Sequence, residues 1–115
     1  MSATALKERL RADLKDAMKE RRGDDARLLR TLIAAIDNAE AVPVDLSGPA
    51  QASRALGDPS GEVARLDLDP AALDRIFAAE VEARLAAAAD YDSHGRGEEA
   101  ARLRAEAAQI GRYAG

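Results

Sequence analysis

The stretch 90–106, DYDSHGRGEEAARLRAE, contains the only histidine of the chain together with several acids and arginines. Asp90 and His94 are four residues apart, a spacing that places two metal ligands on one helix face. With Ser93 they also supply the residue types of a serine nucleophile, its base and an acid. Two glycines follow within three residues, however, and glycine is typical of the position just after a helix. We therefore predict a turn between two helices, with no metal site and no catalytic residue.

The composition excludes several other kinds of site. The 115 residues are enough for one compact domain, and the absence of cysteine excludes disulfides, cysteine–zinc sites and thiol catalysis. No glycine-rich phosphate loop follows a strand, so we predict no cofactor. No signal peptide is present and no apolar run approaches the roughly 18 residues of a membrane span. We expect a cytoplasmic protein without a membrane partner.

Apolar residues at spacings of three and four predict an all-α fold. Four helices are expected, at about 4–21, 25–40, 70–93 and 98–113. The first is expected to end at Gly23, Asp24 to cap the second, and Asp69 with Pro70 to begin the third. Short turns make consecutive helices antiparallel neighbours. The sequence thus predicts one domain, 1–115, in which two antiparallel hairpins form a four-helix bundle.

Each predicted hairpin has one register that pairs apolar residues across it. Around Gly23 the pairs are Met18 with Leu28, Leu14 with Leu32, and Leu10 with Ile36. Around Gly95 the pairs are Ala88 with Leu103, Leu85 with Ala107, Val81 with Ile110, and Phe77 with Tyr113. Large residues meet small ones in the layers near the second turn, as interdigitated packing requires.

Residues 41–69 are predicted to be a long connection between the hairpins. They carry three prolines and three glycines without a sustained period. Two weak helical turns are expected within 49–56. Six apolar residues are expected to anchor the connection partly on the bundle: Val42, Val44, Leu46, Val63, Leu66 and Leu68.

A basic stripe follows the first helix and is the main candidate for binding. Lys7, Arg11, Lys15, Lys19 and Arg22 recur every three or four residues, and Arg21, Arg27 and Arg30 extend the stripe around the first turn. Such a stripe can contact a phosphate backbone or an acidic partner. It can also be a solvated face balanced by Glu8, Asp16 and Glu20. The net charge of −4 argues against strong non-specific binding of nucleic acid.

Two segments together resemble the YqeY-like family. The first is LKERLRADLKDAMKERRGDDARLLRTLIAAIDNAEA, residues 6–41, and the second is AADYDSHGRGEEAARLRAEAAQIGRY, residues 88–113. The motif residues of the first are Leu6, Lys7, Leu10, Asp13, Ala17, Met18, Lys19, Ala35, Ile36, Asn38 and Glu40. Those of the second are Ala88, Tyr91, Gly95, Arg96, Ala100, Glu106 and Tyr113.

The resemblance implies a helical bundle with a role around tRNA. YqeY-like proteins share a domain with the tail of the B subunit of glutamine-dependent aspartyl/glutamyl-tRNA amidotransferases. A non-catalytic binding module is therefore expected, with tRNA or an amidotransferase-type protein as partner. The family's smaller C-terminal domain is expected to be absent. Two alternatives stay open: a protein–protein adaptor that uses an exposed bundle face, and a carbon–nitrogen ligase with glutamine as amido-N-donor.

Overall fold

The computed structural model describes residues 1–41 and 67–113, and these form a bundle of four α-helices. The helices are α1 (Ala3–Lys19), α2 (Gly23–Glu40), α3 (Pro70–Ser93) and α4 (Gly97–Gly111). Every boundary lies within two residues of its predicted position. None of these four helices is long and apolar enough to cross a bilayer. The predicted connection falls mostly outside the described residues, as do its helical turns and five of its six anchors.

The two hairpins share one hydrophobic core. α1 packs along α2 and α3 along α4, which confirms the predicted pairing. Phe77 of α3 and Ile110 of α4 belong to the same buried cluster as Leu10, Leu32 and Ile36 of the first hairpin. All five side chains are almost completely removed from water. At about 25 cal/mol per Å² of apolar surface, each of them stabilises the fold by roughly 1.5–3 kcal/mol.

The predicted register of the first hairpin is right in its core and wrong at its end. Leu10 and Ile36 are both buried, and Leu14 packs against the core from its edge. Met18, predicted to face Leu28, is instead 55% exposed. Ala17 occupies the buried position of that turn. Ala17 and Met18 both fit the spacing of the apolar stripe of α1, and the smaller residue, Ala17, faces α2.

The turn between α1 and α2 does not use glycine for its reversal. Arg21 takes the left-handed conformation, with φ 57°. Its amide bonds to the Met18 carbonyl, and the Arg22 amide bonds to the Ala17 carbonyl over 2.8 Å. This is a Schellman motif with arginine at the position that usually holds glycine. The predictions that Gly23 ends α1 and that Asp24 caps α2 are therefore wrong, because α2 begins at Gly23.

The start of α3 agrees with its predicted signals. The Asp69 side chain accepts a hydrogen bond of 2.7 Å from the Ala72 amide, and Pro70 is the first helical residue. Proline suits the first position of a helix because the backbone N–H that it lacks would have no acceptor within the helix. Leu68 packs against the cluster that contains Leu73. The capping carboxylate and the apolar contact together fix where the second hairpin begins.

The turn between α3 and α4 is the one predicted around the histidine. Gly95 has φ 71°. Its amide bonds to the Asp92 carbonyl, and the Arg96 amide bonds to the Tyr91 carbonyl over 2.8 Å. The two bonds form a second Schellman motif, here with glycine in the left-handed position. The stretch that raised the possibility of a metal site thus has a structural role.

One residue of the predicted second interface lies outside it. Leu85 is 46% exposed, whereas Ala88 one turn later is fully buried. Arg84 takes the inward position and bonds to Glu80 at 2.7 Å and to Glu106 of α4 at 3.2 Å. A charge placed at residue 85 would therefore lie in water. The aliphatic stem of Arg84 replaces the leucine that the periodicity suggested.

The two glycines beside the second turn give a matched test of this geometry. Gly95→Ala places a Cβ at positive φ and should lower the free energy of unfolding by about 1 kcal/mol. Gly97→Ala lies in the first turn of α4 with open space around the new Cβ. That change should raise the free energy of unfolding by up to about 1 kcal/mol, because alanine restricts the unfolded chain. Chemical denaturation of both variants is the measurement, and equal effects would contradict the assigned turn.

Candidate binding surface on the first helix

The structure removes Lys7 from the predicted basic stripe. Its Nζ lies 2.5 Å from Glu40 Oε1 and 3.2 Å from Asp37 Oδ1, and its side chain is only 12% exposed. Glu40 is itself the buried charged residue of the described part of the chain. The hydrogen bond to Glu40 raises the pKa of Lys7, despite opposition from burial. Lys7 therefore joins α1 to α2 and is not available to a partner.

Near the first turn two arginines of the stripe are paired with carboxylates, whereas Arg21 is exposed and forms no ion pair with any described residue. Arg22 bonds to Glu20 and Asp25, each over 2.7 Å. Arg27 pairs with Asp24 at 3.3 Å on the surface of α2. Each of these exposed pairs is worth only a few tenths of a kcal/mol, yet each places a carboxylate beside the cation. Arg22 and Arg27 are therefore poor candidates for binding an external anion.

Three cations remain together on one side of α1. Arg11, Lys15 and Lys19 are exposed, and none forms an ion pair with any described residue. They border a shallow groove whose apolar part is made by Leu14 and Met18. We call these five residues the α1 basic flank. Arg30 is also exposed and unpaired among the described residues, but it lies on α2 and does not line this groove.

The acids of α1 do not neutralise the α1 basic flank. Asp13 and Asp16 line a separate cleft between the hairpins, and Glu20 bonds to Arg22. Glu8 forms no ion pair within the described ranges. Glu8, Asp16 and Glu20 therefore do not balance the cations of the α1 basic flank by pairing with them directly. The helix thus carries the three cations on one side of its buried stripe and, on the other, a cleft in which Asp13 and Asp16 lie among Arg9, Arg22 and Arg112.

The cleft lined by Asp13 and Asp16 also holds the hairpins together. The Tyr113 hydroxyl donates a hydrogen bond to Asp13, and the Arg9 guanidinium lies 5.0 Å from the centre of the tyrosine ring. Burial and the neighbouring carboxylate raise the pKa of Tyr113 to about 12. The ordinary pKa of the phenol is 10.0, so this stabilising contribution is complete below pH 10 and is lost as the pH rises from there through about 12.

The contacts in this cleft favour a structural role over a catalytic one. Asp13 is occupied by the tyrosine hydroxyl, and Arg9 covers one face of the ring. Cation–π stacking and the hydrogen bond together tie α1 to the residues that follow α4. The sequence placed Tyr113 opposite Phe77, and it does pack against the shared core. Its polar partner, 100 positions away in the chain, has no signal in local spacing.

The only histidine lies at an exposed helix end. His94 follows α3 directly, and its Nδ1 is 2.7 Å from the Asp90 backbone carbonyl oxygen. Asp92 pairs with Arg104 of α4. Over residues 1–41 and 67–113, no three His, Cys, Asp or Glu side chains are grouped so that they could hold a metal ion. Arg96 stacks over the Tyr91 ring at 5.4 Å and closes the turn.

The residues that carry the YqeY-like resemblance contact one another in the structure. Within these motifs Lys7 pairs with Glu40, Asp13 with Tyr113, and Tyr91 with Arg96. A further motif residue, Glu106, bonds to Arg84. These contacts join helices or close turns. The motifs are therefore explained by the fold, and they identify no reacting group.

Sequence reasoning missed the apolar half of the α1 basic flank. Met18 continues the spacing of the core and is predicted to face Leu28, whereas Leu14 packs against the core as predicted and also lines the groove. The available signal was the small Ala17, which fills the buried position of that turn and displaces Met18 outward. A second stripe at 11, 14, 15, 18 and 19 then follows the same three- and four-residue rule on the exposed side.

Two matched substitutions test whether Lys7 belongs to the fold. Lys7→Met should lower the free energy of unfolding by about 2 kcal/mol, because Glu40 stays buried without this charged donor. Lys15→Met, on the exposed side of the same helix, should change it by less than about 0.5 kcal/mol. The effect of Lys7 should be complete at neutral pH and disappear as the pH rises above its ordinary pKa of 10.5 and through the raised one. Urea titrations of both variants are the measurement, and equal losses would contradict the buried pair.

Comparison of the chain with known protein families, curated proteins and solved structures finds no match. The YqeY-like resemblance therefore stays a prediction from the quoted motifs.

Proposed function

We propose that this chain is a non-catalytic binding module that engages an anionic partner through the α1 basic flank. The observation that carries the proposal is that Arg11, Lys15 and Lys19 are exposed and have no carboxylate partner among the described residues, while Lys7, Arg22 and Arg27 are paired. Unpaired cations beside an apolar groove are suited to holding a partner and supply no nucleophile or base. A partner of negative charge is the chemistry that such a surface favours.

The YqeY-like resemblance supplies the setting of this proposal. It suggests tRNA or an amidotransferase-type protein as the partner class. One specific observation favours the adaptor alternative: Leu14 and Met18 make part of the groove apolar. A phosphate backbone has no apolar surface that could pack against these side chains. The carbon–nitrogen ligase alternative rests on the resemblance alone, and no contact in the described part of the chain favours it.

Filter binding with tRNA tests the anionic-partner proposal quantitatively. Three phosphate contacts give a slope of log K against log salt of about −2.7, so affinity should fall about 40-fold between 50 and 200 mM salt. Seven contacts, from Lys7, Arg22, Arg27 and Arg30 in addition to these three, would give a fall of roughly several thousand-fold over the same interval. Binding is expected to be weak, because the chain carries a net charge of −4.

A matched pair of charge reversals locates the contact. The double change Arg11→Glu and Lys15→Glu should abolish tRNA binding at 50 mM salt. The double change Arg75→Glu and Arg102→Glu alters the net charge by the same amount. Apart from that shared effect of net charge, it should change the affinity for tRNA by less than twofold. Arg75 and Arg102 are exposed and form no ion pair with other described residues. Equal losses in the two variants would show that overall charge, and not the α1 basic flank, governs binding.

A further inference from the structure

We propose that the partner of the α1 basic flank is an acidic amphipathic helix of another protein. The inference rests on the proposed function and specifies its partner. Leu14 and Met18 form an apolar row in this groove, and Arg11, Lys15 and Lys19 form a cationic row beside it. A phosphate backbone would make no favourable apolar contact with Leu14 or with Met18, which is more than half exposed. A helix with an apolar stripe beside carboxylates satisfies both parts of the surface.

The residue spacing fits an object that lies along α1. Leu14 and Met18 are one turn apart, about 6 Å along the helix axis, and the three cations repeat at the same interval. The basic row spans about 12 Å, from residue 11 to residue 19, and the apolar row runs beside it for about 6 Å. A partner helix of about three turns presents matching rows when its apolar residues recur at three and four and its acids flank them.

Methionine and lysine give this surface the chemistry of a helix-docking groove. Met18 is unbranched and polarisable, so it adapts to apolar side chains of different shape. The aliphatic stems of Lys15 and Lys19 extend the apolar floor while their ammonium groups stay in water.

The positions of the aromatic residues disfavour single-stranded RNA as the occupant. Unpaired bases bind by stacking on exposed aromatic rings. Phe77 is buried in the core, Tyr91 lies under Arg96 at the second turn, and Tyr113 lies under Arg9 in the cleft. None of the three lines the groove of the α1 basic flank. The surface offers cations and aliphatic contact, which a protein helix uses better than RNA does.

The test uses the full chain and a synthetic peptide as the probe. The peptide has 18 residues with blocked ends, leucine at positions 4, 8, 11 and 15, glutamate at positions flanking them, and alanine elsewhere. A scrambled peptide of identical composition breaks the apolar face. Fluorescence anisotropy of labelled peptides at 100 mM salt should show binding of the amphipathic peptide, with at least tenfold weaker binding of the scrambled one. Equal affinities, or no binding of either, would overturn the inference.

Two pairs of variants separate this inference from the proposed function. Met18→Gln should weaken peptide binding at least fivefold, while Leu85→Gln, at the other exposed large apolar residue inside a helix, should leave it unchanged. Arg11→Gln with Lys15→Gln should weaken it at least tenfold, and Arg75→Gln with Arg102→Gln should not. Unchanged thermal melting by circular dichroism confirms that each variant is folded.

Each remaining outcome decides between the two claims. Loss of binding in the Arg11 and Lys15 variant without any effect of Met18→Gln would retain an anionic partner and overturn the amphipathic helix. No effect of either change would overturn both claims. In parallel, the protein is titrated with a second probe, vesicles of phosphatidylcholine with 25% phosphatidylglycerol. Binding to these vesicles in preference to the peptide would overturn the inference in favour of a lipid surface.

Discussion

The burial of one apolar core between two helical hairpins is the constraint on which the rest of the structure depends. Phe77 and Ile110 of the second hairpin lie in the same cluster as Leu10, Leu32 and Ile36 of the first. Because these residues are removed from water together, each helix has one side committed to the interior. The rotation of α1 about its axis is thereby fixed. The positions of its charged side chains follow from that rotation.

The fixed rotation sorts the charges of α1 into two groups with different roles. On the side next to α2, Lys7 is drawn into a buried pair with Glu40 and Asp37. On the side next to α4, Asp13 holds the Tyr113 hydroxyl. These polar contacts stabilise the same arrangement as the core does. The cations left over are those that no other helix reaches, and this is why the proposed binding surface is small and lies on the outer side of α1.

Much of the fold could be predicted from local signals. Gly95 and the Asp69–Pro70 start act within a few residues, so the sequence shows them directly. The turn at Arg21 could not be predicted, because a Schellman motif with arginine has no compositional signal and Gly23 offered a more usual one. Met18 and Leu85 were misplaced for a related reason. Both fit the apolar spacing, and only contact with the facing helix decides which neighbour turns inward.

The candidate site was less predictable than the fold. The positions of the cations were evident from spacing, but their availability depends on carboxylates far away in the chain, such as Glu40 for Lys7. The Asp13–Tyr113 contact joins residues near opposite ends of the sequence. Pairing with carboxylates removes Lys7, Arg22 and Arg27 from the stripe, and Arg21 and Arg30 do not line the groove, which leaves Arg11, Lys15 and Lys19 together. The apolar groove beside them emerged from the same packing.

Native-state hydrogen exchange tests the shared core most directly. If one core holds both hairpins, the slowest amides of α1 and α2 and those of α3 and α4 should open with the same free energy, that of global unfolding. Phe77→Ala should then lower all of them together, by about 3 kcal/mol. Faster exchange confined to α3 and α4, with the amides around Leu10 and Leu32 unchanged, would show two independent hairpins and contradict the account.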